Sequence, residues 1–252
     1  MRIFSAFLLQ MLPTVGAVFV FGFVIYQLNR LFYANFGAGG RAVCYATGFV
    51  GTPVHELSHA LMCLLFLHRI NEIRLFQISD DGTLGYVNHA YNERNIYQQI
   101  GNFFIGVAPI LCISAILYIA AYKLLPSFAA GVQAAGETAS ARAILTSVKA
   151  FFASAKSWRW WVFVAVGMLL ALHMNLSTAD IKGAWSGLLT LLVVVAVVDT
   201  VLYFVAVSAL DAFTAFMLAA ASYMICFFAV ALILSLFALV LSFLFRLIFA
   251  RR

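Results

Sequence analysis

Residues 212–245 read AFTAFMLAAASYMICFFAVALILSLFALVLSFLF, 34 positions without one Asp, Glu, Lys or Arg. A hydrocarbon core about 30 Å thick is crossed by roughly 20 apolar residues in helical form. The run therefore exceeds a simple span, and either tilts strongly or ends in a surface helix before Arg246, Arg251 and Arg252. The rest of the chain has the same character. Of its 252 residues, 65% are hydrophobic, 15% aromatic and only 10% charged, against about 25% charged in a soluble domain. So few charges cannot cover a water-soluble particle of this size. A soluble globule, a disordered tail and a collagen-like fibre are excluded, and the fold class is an all-α multi-pass membrane protein.

Moving outward from that run, further apolar segments lie at about 184–207, 158–174, 102–122, 42–67 and 3–28. Together they predict six spans in one integral membrane domain, 1–252. The first tolerates Pro13 and lacks a small-residue cleavage site after it, so it is expected to be retained rather than removed as a signal peptide. The second is interrupted at Gly51-Thr52-Pro53, where Thr52 would cap and Pro53 begin a new helix. A short polar connection covers residues 29–41. The connection 126–157 places Ile144, Leu145, Val148, Phe151 and Phe152 at helical spacing, which predicts an interfacial amphipathic helix. Residues 73–78 and 83–89 are strand-like and flank Asp80-Asp81-Gly82, a hairpin turn sequence. No internal repeat is visible.

The net charge of +6 comes from basic residues scattered along the chain, which suits membrane faces and the lipid bilayer as partner rather than nucleic acid. Cys44, Cys63, Cys112 and Cys226 sit in apolar stretches without paired spacing and read as small buried hydrophobes.

His55-Glu56-Leu57-Ser58-His59 is an HExxH. Residues four apart on a helix share a face, so both imidazoles can reach one zinc ion, Zn2+, with Glu56 beside them as general base. Two histidines and a glutamate inside a membrane are costly unless something compensates them. A catalytic zinc usually has three protein ligands. The remaining histidines are His68, His89 and His173, and the acids within or beside apolar spans are Asp180, Asp199 and Asp211. Asp180 is best placed, in a polar break over residues 175–183 where irregular backbone at membrane depth must line a cavity or be buried in protein. His173 is the alternative ligand, an outer partner, a substrate contact, or simply a hydrogen-bonded buried imidazole.

An HExxH in a membrane helix, a polar hairpin after it and a later break at an Asp resemble the site-2 proteases, intramembrane zinc metalloproteases. Gly85-Tyr86-Val87 is similar to that family's Gly-Gly-Tyr-Val strand. Gly106-Val107-Ala108-Pro109 is similar to its Gly-Pro element, and Ala179-Asp180-Ile181 stands where Leu-Asp-Gly is usual. The prolines that usually unwind the Asp segment are absent, as is an Asn expected a few residues beyond Pro109. The resemblance covers about residues 42–185 and implies a minimal core without PDZ or CBS domains: a zinc helix at 53–67, a hairpin at 73–89 and a third-ligand segment at 173–183, followed by C-terminal helices over 186–252.

It further implies hydrolysis of peptide bonds in or near transmembrane segments of a membrane-protein substrate, by zinc-activated water with Glu56 as base and His55, His59 and Asp180 as ligands. Gly85, Tyr86 and Val87, with His173, Asn175 and Ser177, are the expected substrate contacts. Ser58 and Thr178 join Asn175 and Ser177 as candidates for a water path. The expected location is a bacterial inner membrane with cytosolic termini, and a regulatory membrane partner or homo-oligomer is compatible with it. A zinc-binding scaffold without proteolysis is the first rival reading. An ion transporter or channel is the second, prompted by Asp199 deep in an apolar span.

Overall fold

The computed structural model describes residues 1–79, 82–138 and 141–249. The chain is helical almost throughout. In order come α1 (Arg2–Met11), α2 (Ala17–Ala34), α3 (Gly40–Leu65), strands β1 (Arg69–Arg74) and β2 (Tyr86–Ala90), α4 (Ile96–Leu124), α5 (Pro126–Thr138), α6 (Ala141–Ala153), α7 (Trp158–Ala171), α8 (Thr178–Val205) and α9 (Val207–Phe249). Among the described residues, four helical segments are long and apolar enough to cross a membrane: Arg2–Ala34, Ile96–Leu124, Thr178–Val205 and Val207–Phe249. The segments read as second and fourth spans are helical too, but α3 carries the charged motif and α7 has only 14 residues.

Pro13 is tolerated within the first helix, as expected. A π-turn over Leu12–Gly16 joins α1 to α2, accommodating the missing proline N–H within a continuous helix. Asn29 is not in a polar loop but inside α2, fully buried, where its amide donates to the Ala171 carbonyl at 2.8 Å and to Asn175 at 3.0 Å. The expected break at Gly51-Thr52-Pro53 is also absent, and Pro53 lies within an unbroken α3. Packing holds that helix together: a Cβ on Gly51 would meet the His173 ring carbon at 2.6 Å, so the end of α7 lies directly against it. Residues 126–157 form two helices rather than one. The predicted amphipathic helix is α6, which buries Phe151 and Ser147 and exposes Ile144, Leu145 and Phe152.

α4 is the centre of the bundle, with Val107, Ile110, Ile113 and Leu117 fully or almost fully buried in one core with Phe228, Val230 and Leu234 of α9. Toward α8 it presents glycine. A Cβ on Gly106 would overlap the Asp180 carbonyl oxygen, and α8 returns the relation with Gly187 against the Phe103 backbone. Small residues allow such close approach of helices in membranes, where water does not drive association.

α3 is polar on its inner face, with Glu56 and His59 each 5% exposed, and apolar on its outer face, at Leu57, Leu61, Leu64 and Leu65. A helix with polar side inward and leucines outward suits lipid, not water. Asp199, deep in an apolar helix, pairs with Gln10 of α1, whose amide donates to it at 3.0 Å and to Thr214 at 2.9 Å. Asp211, near the start of α9, is exposed and pairs with Arg2 at 2.8 Å.

The two strands pair antiparallel, Arg74 opposite Tyr86 and Arg69 opposite Ala90, with an irregularity between Ile70 and Glu72. The hairpin is thus real but shifted from the expected 73–78 and 83–89. Beyond Arg74 the arms stay joined, the Gln77 N–H donating to the Leu84 carbonyl at 2.7 Å and Ser79 Oγ to the Thr83 carbonyl at 3.0 Å, and they also lie against α3. The Phe76 ring packs edge-on to Phe49 at 5.8 Å, and the Tyr45 hydroxyl donates to the Ser79 carbonyl at 3.4 Å. Asp80 and Asp81 of the expected turn lie outside the described residues.

Candidate metal centre and active site

α3 sets His55 and His59 one turn apart, with their Nε2 atoms 3.1 Å from each other. Asp180 reaches them from α8: Oδ1 is 3.3 Å from His59 Nε2 and Oδ2 is 3.9 Å from His55 Nε2. One ligand atom from each residue lies within 4.8 Å of the others. Two ligands at about 2.0–2.1 Å from a tetrahedral zinc are about 3.4 Å apart. The two nitrogens, and His59 with Asp180 Oδ1, have about that spacing, while His55 lies farther from the carboxylate, at 3.9 Å from Oδ2.

The outer nitrogens sharpen the fit. His55 Nδ1–H donates to the His173 carbonyl at 2.7 Å, and His59 Nδ1–H donates to the Ile105 carbonyl at 2.7 Å. A carbonyl only accepts, so both Nδ1 atoms carry a proton, and in the neutral form each ring turns its Nε2 lone pair inward. Two lone pairs at 3.1 Å beside a carboxylate repel unless a cation lies among them. Carbonyl-anchored imidazoles converging with a carboxylate form a donor set that can hold a metal ion, zinc among them.

Asp180 is not in irregular backbone, as the polar stretch suggested. The break is confined to residues 172–177, and Asp180 is helical, in the first turn of α8. Ser177 and Asp180 form a reciprocal cap: the Asp180 N–H donates to Ser177 Oγ at 3.1 Å, and the Ser177 N–H donates to Asp180 Oδ2 at 2.7 Å. This capping box orients the carboxylate while its other oxygen faces His59. The Ser-x-x-Asp spacing was the signal for it.

A cavity of about 330 Å³ opens beside this cluster, lined by His55, Glu56, His59, Asp180, Ser177 and the strand residues Gly85, Tyr86 and Val87, with His89, Tyr91, Asn102 and Gly106. Glu56 is pressed against β2: a Cβ on Gly85 would stand 2.7 Å from Glu56 Cγ. The sequence-predicted residues thus divide. His55, Glu56, His59, Asp180, Gly85, Tyr86, Val87 and Ser177 meet at one cavity. His173 and Asn175 do not line it.

The His173 ring turns away, its Nε2 lying 2.9 Å from Thr47 Oγ1 and 3.2 Å from the Tyr33 hydroxyl. Its contribution is the backbone carbonyl that orients His55. Asn175 is taken by Asn29, and Ser58 donates to the Val54 carbonyl of its own helix at 2.7 Å. Thr178 faces a separate groove beside α2. His89 was missed as a cavity residue. The available signal was its place two residues after Val87 on β2, the spacing that returns a side chain to the same strand face.

Burial holds His68 below the usual histidine range; burial also depresses His89, and positive charge on His68 or His59 would depress it further. Comparison with protein-family models, curated proteins and solved structures finds no match for this chain.

Proposed function

We propose that the protein is an intramembrane zinc metalloprotease that hydrolyses peptide bonds in or near transmembrane segments of membrane proteins. One observation carries this reading: two carbonyl-anchored imidazoles and a capped carboxylate converge in a cavity that also holds a glutamate, inside a helical bundle with a lipid-suited exterior. The similarity of the same residues to site-2 proteases supports it.

In this reading His55, His59 and Asp180 hold the metal. When bound, zinc polarises a carbonyl and acidifies water in its open position. Glu56 takes a proton from the attacking water and returns it to the leaving amine. β2 offers an edge beside Glu56 on which an unwound substrate segment can pair in extended form. α3 and α7 insert beside the four long apolar helices, giving six spans with both termini on the cytosolic side of a bacterial inner membrane.

The test is metal removal. Purified protein should cleave a single-span reporter peptide in detergent, lose that activity with a zinc chelator, and recover it on zinc addition. Cleavage that persists at full rate in the stripped protein would end the proposal.

A further inference from the structure

The chemistry just described leaves two histidines unused. α3 ends in a reversal at Leu67, which takes a left-handed φ of 58°. The next N–H, that of His68, donates back to the Cys63 carbonyl at 2.8 Å. This turn sets the His68 ring, 4% exposed, flat against Tyr91 with centroids 5.1 Å apart. His68 Nε2 is 2.8 Å from the Gln98 carbonyl and its Nδ1 is 3.0 Å from His89 Nδ1.

Proton placement follows from the partners. The Gln98 carbonyl only accepts, so His68 carries its proton on Nε2 and has a lone pair on Nδ1. The proton between the two rings therefore belongs to His89 Nδ1. Here the arrangement differs from the His55–His59 pair, in which both outer nitrogens are engaged by carbonyls and no proton is left to share. His89 is left with its lone pair on Nε2, which has no protein partner among the described residues, and its ring lines the cavity that holds Glu56 and Asp180. In this tautomer Nε2 accepts a hydrogen bond and cannot donate one. It is unsuited to an oxyanion and suited to an N–H.

His89 also lies two residues beyond Val87 on β2, on the same strand face, and both line this cavity. We propose that His89 is a substrate-binding residue whose Nε2 accepts a hydrogen bond from a backbone N–H of an extended peptide in the cavity, and that His68 is the positioning residue that fixes its tautomer. The proposal rests on the proteolytic reading for the identity of the ligand, a peptide backbone.

The test uses full-length protein carrying Glu56→Gln, in micelles, and a dye-labelled Leu/Ala transmembrane peptide interrupted by Asn-Pro. Affinity is read by anisotropy, with zinc content as the control for an intact site. His89→Ala should weaken binding about five- to tenfold, the worth of one hydrogen bond. His89→Gln, whose amide oxygen can accept, should restore most of it. His68→Leu should weaken binding to the same degree, and His68→Asn, which keeps an acceptor for His89, should weaken it less. Ring ¹⁵N spectra should show protons on His68 Nε2 and His89 Nδ1, with His89 turning to mixed tautomers in His68→Leu.

Equal affinity in His89→Ala, absence of peptide binding, or a His89 protonated on Nε2 at neutral pH would each overturn the proposal. Peptide binding that depends on His89 without cleavage when Glu56 is restored would leave the proposal standing and end the proteolytic reading.

Discussion

Glu56→Gln is expected to bind zinc as the wild type does while its cleavage of a transmembrane reporter falls by at least about a hundredfold. Glu56 belongs to none of the three contacts that bring His55, His59 and Asp180 together. Its removal as a base therefore leaves the donor set whole. Glutamine has nearly the same volume and keeps the packing against Gly85, where an added Cβ would already stand 2.9 Å from Glu56 Oε1. It cannot take up a proton, and general acid–base catalysis commonly contributes about 10²–10⁴ in rate. Metal analysis beside a cleavage assay separates the two effects. Loss of zinc in this variant would mean that Glu56 holds the site together structurally, and unchanged turnover would contradict its role as the base.

Gly106→Leu is expected to weaken zinc binding by about a hundredfold without touching a ligand. The Asp180 carboxylate reaches His59 only because α8 lies against the backbone of α4. A Cβ on Gly106 would overlap the Asp180 carbonyl oxygen and stand 2.8 Å from Ala184 Cβ and 2.9 Å from the Ala184 nitrogen. Two of those three atoms are backbone and cannot swing aside like the end of a flexible side chain. α8 must retreat, taking with it a carboxylate that the Ser177 cap fixes to the helix. Supports of this kind commonly cost 10–100-fold in metal affinity when disturbed, and moving a whole helix lies at the upper end. Gly183→Ala is the control, because a Cβ there meets nothing within 4 Å. Competition with a chelator of known affinity measures both. Equal affinities would show that α8 is not positioned by this glycine contact.

Much of the architecture was legible because it follows from short-range rules. His55 and His59 are four apart, so any helix through them sets both rings on one face. Asp180 was legible as an acid that an apolar environment tolerates only with a partner. What escaped reading depends on contacts between elements distant in sequence. Pro53 signals a helix break in isolation, yet α3 runs unbroken through it, with Gly51 packed against His173. The strands were read as alternation around Asp80-Asp81-Gly82, but the regular ladder covers Arg69–Arg74 and Tyr86–Ala90, and beyond it the arms keep isolated bonds such as Gln77 to Leu84 while packing on Phe49 and Tyr45 of α3. The partner of Asp199 was unreadable, since Gln10 lies at the other end of the chain and only the register of α1 against α8 brings them together. His89 was overlooked because it was weighed as a metal ligand rather than as a residue on the same strand face as Val87.

The central claim is that His55, His59 and Asp180 together bind one zinc ion. Metal analysis of the purified wild type beside Asp180→Ala tests it most directly. About one zinc per chain in the wild type and almost none in the variant is the predicted result. Wild-type protein without stoichiometric zinc after growth with ample metal, or a variant that retains it in full, would contradict the account.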